Sequence, residues 1–230
     1  MRKRTVSLVS ISLVLLLALI GATAVWAQGG GEGESPLVHP IPSVPVIVDG
    51  VRYPPEEISR FNGTLLQFVL TADAVQEGYM YAFTTDERLL EFLSEHGQLP
   101  SGDLREGGIE GVDYYVSEGG EPPLPTLEGS PVSACEPSDY WTKFFKDINC
   151  GGGVFGSAPG VEWSDLRYRP EGWNDVISSL VVATAASWAT LYEHINFGGD
   201  QLWVESGLEL GDLRDYGWND RASSIRVWPW

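Results

Sequence analysis

The sequence predicts a mainly β protein whose C-terminal part is a β-sandwich of two repeats, preceded by a small α+β domain. Three observations carry this. Gly172-Trp173-Asn174-Asp175-Val176-Ile177-Ser178-Ser179-Leu180-Val181-Val182 is written again as Gly217-Trp218-Asn219-Asp220-Arg221-Ala222-Ser223-Ser224-Ile225-Arg226-Val227. Each copy is a polar loop feeding a strand. Upstream, Asp165-Leu166-Arg167 recurs 47 positions later as Asp212-Leu213-Arg214, whereas the loop Asn residues lie 45 apart, so a two-residue indel separates the copies. At the same 47-residue offset, Phe145-x4-Cys150-x-Gly152 opens the first repeat and Tyr192-x4-Phe197-x-Gly199 the second. A forty-residue repeat with a Gly-rich turn near its start and a strand at its end cannot bury both faces of its sheet alone; two copies packed together can.

From the beginning, residues 1–27 read as a secretory signal. Arg2, Lys3 and Arg4 precede an apolar run from Val6 to Ile20, and Val25-Trp26-Ala27 ends in small-residue cleavage chemistry. The apolar run is about fifteen residues, short of the roughly twenty a spanning helix needs, so no membrane span is expected after cleavage. The expected location is secreted or in the cell envelope. Removal takes three of the fourteen Lys and Arg and none of the 32 Asp and Glu, leaving a net charge of about −21. Such a surface repels nucleic acid and anionic lipid, concentrates cations, and keeps an exported chain soluble.

Residues 28–44, rich in Gly and Pro, read as a flexible tether. Pro45 to Tyr53 holds two β-prone runs about Asp49-Gly50, a hairpin signature. Thr64–Leu70 and Tyr79–Phe83 read as buried strands with a connection between them. Thr84-x-x-Glu87 matches a capping box, Leu89, Leu90 and Leu93 form an apolar face at helical spacing, and Gly97 stands where a helix would stop. With Asp113–Val116 as a last strand, this gives an α+β domain over 45–116 of no recognisable site. Residues 117–133, with four Pro, three Glu and three Gly, read as a linker, and 134–230 as the repeat domain, its repeats at about 141–182 and 188–228.

Cys135 and Cys150 are the only cysteines, and an even count in an exported chain suggests a disulfide. Closing that loop of about fifteen residues contributes roughly 3 kcal/mol in the chain-entropy estimate.

The two aromatic-x4-x-x-Gly openings, each followed by Asn-Asp-x-x-Ser-Ser, resemble the βγ-crystallin Greek-key motif in its microbial calcium-binding form, over residues 141 to 228. Cys150 departs from the pattern, standing where the family has an aromatic. The loop chemistry is consistent by itself with a hard cation: each loop offers an amide, a carboxylate and two hydroxyls, and no His or Cys that would favour zinc or copper. The resemblance implies more, namely two calcium ions, each between the arch loop of one repeat and the hairpin turn of the other. Its arch-loop ligands map onto Asn174, Asp175, Val176 and Ser178, and onto Asn219, Asp220, Arg221 and Ser223, with Val176 and Arg221 giving only backbone carbonyls. The bland reading of the same loops is turn chemistry, because Asn and Asp bond their own backbone and a Ser hydroxyl can hold a folded hairpin without metal. Arg221 either places a cation beside the second site or snorkels outward to a surface carboxylate; the first arch-loop site is therefore expected to be the tighter.

Trp141, Trp163, Trp173, Trp188, Trp203, Trp218, Trp228 and Trp230 all lie in the repeat domain, where packing explains them more simply than a carbohydrate platform. The chain does not read as an enzyme: His39, His96 and His194 form no His-Glu-x-x-His pattern, and no Gly-x-Ser-x-Gly elbow exists. Asn62-Gly63-Thr64 is a glycosylation sequon. A secreted calcium-binding structural module is the leading reading. A secreted peptidase inhibitor on the same fold, with a peptidase partner, and a calcium-dependent envelope carbohydrate binder, with a glycan partner, are the alternatives.

Overall fold

The two repeats interlock. In the computed structural model, which describes residues 37–96, 135, 138–169 and 172–230, the first repeat supplies β5 (Thr142–Asp147), β6 (Gly151–Ser157), β7 (Glu162–Trp163) and β8 (Ser179–Val181). The second supplies β9 (Ala186–Tyr192), β10 (Gln201–Glu205), β11 (Glu209–Leu210) and β12 (Ser224–Pro229). One sheet runs β11-β8-β5-β6, and the other contains β10-β9-β12-β7. Each repeat therefore gives its third strand to the sheet of its partner: β11 pairs with β8, and β7 with β12. This is a Greek-key β-sandwich, as the duplicated pattern predicts.

The second sheet does not end at β10. Four further strands extend it to eight in the order β2-β1-β4-β3-β10-β9-β12-β7. Here β1 (Val46–Val48) and β2 (Val51–Tyr53) form the expected hairpin, with Asp49 and Gly50 both at positive φ. β3 (Gln67–Leu70) and β4 (Met80–Phe83) pair antiparallel, and β3 joins the repeats by lying parallel to β10, Phe68 opposite Leu202 and Val69 opposite Trp203. The described part of 45–116 thus shares one sheet with the repeats, and the described residues form one compact unit.

Period-2 alternation sorts these strands between two cores. Phe68, Leu70, Leu191, Leu202, Val204, Ile225 and Val227 point into the sandwich, where they meet Phe144, Phe155, Leu180, Trp173 and Trp218. The intervening Val69, Trp188, Trp203 and Trp228 face the opposite way, where Leu89 and Leu93 of α2 (Asp86–Glu95) cover them. Both faces being covered explains why β9 is buried at every position, its two polar residues Ser187 and Thr190 spending their hydroxyls on Pro229 O and the Trp228 indole N–H.

Several expectations need correction. β3 begins at Gln67, not Thr64, and the connection to β4 contains a short helix, α1 (Ala72–Glu77), capped by the Thr71 hydroxyl and closed by left-handed Gly78. The cap of α2 is Thr85, whose hydroxyl accepts from Arg88 N–H; Thr84 instead donates to Asp49 Oδ2 at 2.7 Å. Thr84 is drawn away because Asp49, in the β1–β2 turn, also accepts its backbone N–H. The described end of the 28–44 segment is anchored: His39 is buried, Ser43 N–H donates to Asp215 O at 2.7 Å, and Gly63 N–H to Leu37 O at 2.9 Å. Residues 1–27, Gly97, Asp113–Val116 and the 117–133 linker lie outside the described residues.

Candidate functional site

The site is built by the two hairpins and two arch loops where the repeats meet. In each hairpin two consecutive residues adopt left-handed φ, Asn149 and Cys150 in the first, Asn196 and Phe197 in the second. The glycine two positions on is required. At Gly152 (φ 70°) an added Cβ meets Asp147 Oδ2 at 2.7 Å, and at Gly199 (φ 76°) it meets Glu193 Cβ at 2.9 Å. Cys150 therefore does not change the hairpin's path. Where the second repeat packs Tyr192 edge-on to Phe197 at 5.3 Å, the first places Phe145 and Cys150 against Val181, with Cys135 alongside, and the Cys135–Cys150 disulfide forms.

The last serine of each arch loop locks its hairpin. Ser179, fully buried, donates to Asp147 O at 2.6 Å and accepts from Cys150 N–H at 3.0 Å. Ser224 does the same with His194 O at 2.6 Å and Phe197 N–H at 3.1 Å. The hydroxyl is consumed by folding and is not free for a ligand. Next to it, Trp173 and Trp218 seal the loops onto the core, 1% and 0% exposed.

The remaining loop positions cross between repeats. Ser178 Oγ donates to Asp220 Oδ1 at 3.1 Å, and Ser223 Oγ donates to Asp175 Oδ1 at 2.9 Å, spanning 42 and 48 positions of sequence. Both aspartates sit at left-handed φ, 54° and 55°, which their short polar side chains tolerate, and their backbone N–H groups bond Ala222 O and Ile177 O of the opposite loop. Two carboxylates, two hydroxyls and neighbouring carbonyls thus form a pair of oxygen clusters related by the repeat. Of the other expected ligands, Asn174 donates its amide to Asp175 Oδ2 at 2.5 Å, leaving Asn174 Oδ1 buried without a partner. Partial desolvation within the loop holds the Asp175 carboxyl above its ordinary range despite the Ser223 and Asn174 donors and the nearby His194, with the Asp220 charge adding to the rise.

This donor set fits calcium: it is all oxygen, exposed at the aspartates, and contains an orphaned amide oxygen. Among the described residues, the sole cluster of three potential His, Cys or carboxylate ligands is Cys135, Cys150 and Glu209, whose cysteines are in the disulfide.

The structure separates Arg221 from Val176 in a way spacing did not reveal. Arg221 neither stands free beside the cluster nor snorkels outward. Its guanidinium pairs with Asp200 at 3.0 Å and Glu193 at 2.9 Å, bonds Gly217 O, and lies 4.6 Å over the Trp218 ring. Asp200, fully buried, also takes His39 Nδ1 at 2.8 Å and Leu66 N–H at 2.9 Å. His39 Nε2 faces Phe61 O at 3.1 Å and Thr64 O at 3.0 Å. Acceptors on both sides of the ring suit the doubly protonated imidazolium. Burial pulls the His39 pKa down, but the Asp200 bond and charge and the two carbonyls leave it raised; burial pushes Asp200 up, but His39, Leu66 N–H and Arg221 leave it lowered. The only sequence signals were an isolated His and one Asp in a chain full of acids.

Topology and loops together define a two-repeat Greek-key sandwich of the βγ-crystallin type. No protein-family model and no curated protein matches the chain. Among solved structures it is similar to a βγ-crystallin domain from Flavobacterium johnsoniae (34% identity, 37% of this chain, 91% of that one, TM-score 0.32). It is likewise similar to one from Clostridium beijerinckii (26%, 38% and 97%, TM-score 0.33) and one from Ciona intestinalis (23%, 38% and 98%, TM-score 0.33).

Proposed function

We propose that the protein is a secreted calcium-binding module in which ions held at the two cross-repeat oxygen clusters brace one Greek-key repeat against the other. The observation that carries this reading is the reciprocal pairing Ser178–Asp220 and Ser223–Asp175, which puts a carboxylate of each repeat beside a hydroxyl of the other. A cation there is held by both repeats in the folded state and by neither in the unfolded chain, so it stabilises the fold by linkage. With one Asp per cluster the sites are carboxylate-poor, which suits the roughly 10⁻⁴ to 10⁻³ M affinities of extracellular calcium modules. Asn174, Val176, Asn219 and Arg221 complete the proposed ligand set through amide and carbonyl oxygens.

The test is isothermal titration of the decalcified full chain with calcium, with thermal melts on either side. Two binding events and a raised melting temperature are expected, with Asp175→Asn and Asp220→Asn each removing one event. No heat and no thermal shift at millimolar calcium would sink the reading and leave the loops as turn chemistry.

A further inference from the structure

A second site lies on the other face of the eight-stranded sheet. We propose that the cavity between α2 and the outer face of β10 and β12 binds a single saccharide ring. It has a volume of about 220 Å³, below the ~300–1,000 Å³ of pockets for drug-sized ligands, so it suits one ring rather than a chain. Its floor is buried Leu89, Trp203 and Trp228, the two indoles stacked at 5.5 Å and 11°.

The polar groups around that floor are what select a sugar. Arg226 is fixed in position: its guanidinium lies 4.2 Å over Phe197 and 4.8 Å over Trp228, and its Nε is 2.9 Å from Glu162. Its terminal nitrogens form no hydrogen bond among the described residues, so a mostly buried donor group lines the cavity with its donors unspent. Opposite stands exposed Asp86, an acceptor already oriented by Gln67 Nε2 at 2.5 Å, and the amides of Gln201 and Asn196 complete the rim. Gln201 Oε1 takes the Trp203 indole N–H at 3.0 Å, which leaves its amide nitrogen as the free donor.

A wall that alternates fixed donors, a carboxylate acceptor and amides over an aromatic floor matches a ring whose C–H and O–H groups alternate. A purely apolar ligand would strand Arg226 and Asp86, and a simple anion would face Asp86 and Glu162. This inference does not require calcium: the cavity lies on the outer face of the sheet, and of its lining only Asn196 and Phe197 are shared with the second hairpin.

The experiment is ligand-observed NMR and tryptophan fluorescence of the full chain with methyl glycosides of hexoses, N-acetylhexosamines and uronic acids, each run with calcium and with chelator. Saturable binding of at least one glycoside, a shift in tryptophan emission, and persistence in chelator are expected. Arg226→Lys should weaken binding about tenfold by removing the fixed fork. Because a change at Arg226 also disturbs its aromatic neighbours, Asp86→Asn and Asp86→Ala, at the exposed rim, serve as variants that keep the melting temperature while weakening binding several-fold. No binding by any glycoside at tens of millimolar would overturn the proposal. So would binding indifferent to the rim variants, or displacement by acetate and glycine as effective as by sugar.

Discussion

The two repeats share a framework and differ in what secures it. In both, an Asp caps the same short 3₁₀ turn and forks onto the Arg two positions on, Asp165 with Arg167 and Asp212 with Arg214, each at 2.6 Å. In both, a buried Ser clamps the hairpin and a buried Trp seals the arch loop. The first repeat is then held by a covalent link from Cys150 to Cys135, with Lys146 5.0 Å over the Trp173 ring. The second repeat has Phe197 in place of Cys150, and Arg221 lies over the equivalent Trp218. It also carries Asp200, where the first has Gly153, and that one carboxylate recruits Arg221 and His39 into a buried network. Duplication kept the parts that shape the backbone, and divergence supplied each copy with a different anchor.

The sharpest way to break this symmetry is Asp200→Ala. It leaves Arg221 and His39 without their shared partner in the interior, and an expected loss of about 3–5 kcal/mol in chemical denaturation follows from uncompensated buried charge. Gly153→Asp in the first repeat should reproduce none of that network's stability. Next in size, Cys135→Ser with Cys150→Ser should cost about 2–4 kcal/mol by the same measurement, and reducing agent should have no further effect on that variant. The framework itself should respond equally in both halves. Ser179→Ala and Ser224→Ala are each expected to cost about 1–3 kcal/mol, since each strands a carbonyl and an N–H, and unequal losses would show that the clamps are not equivalent.

The smallest effect is the pH dependence that the His39–Asp200 pair adds. His39 has a raised folded pKa, so its stabilisation is fully present below the ordinary value of 6.5 and is lost as pH rises through the folded value. Asp200 has a lowered one, so its contribution is present above 3.8 and lost as pH falls through the folded value. Denaturation curves across pH should show both slopes, and His39→Gln should remove the alkaline one. Retention of that slope in the variant would mean another group produces it.

Much of the repeat domain was legible in the sequence because its rules are local. A left-handed hairpin needs Gly152 and Gly199, the left-handed arch-loop positions suit Asp175 and Asp220, and alternation marks the strands. The Asn-Asp-x-x-Ser-Ser spacing identified the loops, but it could not say which Ser faces a ligand position and which is spent on the hairpin. That division depends on the partner repeat. The N-terminal strands were readable as strands, yet their attachment was not, because pairing of β3 with β10 is a contact between segments 134 positions apart. The role of Arg221 was opaque for the same reason: its partner Asp200 lies 21 positions upstream, and the third member, His39, another 161 before that. Thr84 and Thr85 show the finer limit, where a neighbouring turn decided which of two adjacent threonines caps α2.

The parallel pairing of β3 with β10 also sets an order on assembly. β3 emerges from the ribosome long before its partner exists, and its four buried residues have only β4 to lean on in the meantime. The repeats can close on pairings of shorter sequence separation; the N-terminal strands must then find the edge of β10 at a separation of 134 positions, a slow step by its high contact order. Until it docks, β10 presents an unpaired edge of the kind that recruits strands from other chains. The late step of folding is therefore also the step that takes the molecule out of danger of aggregation.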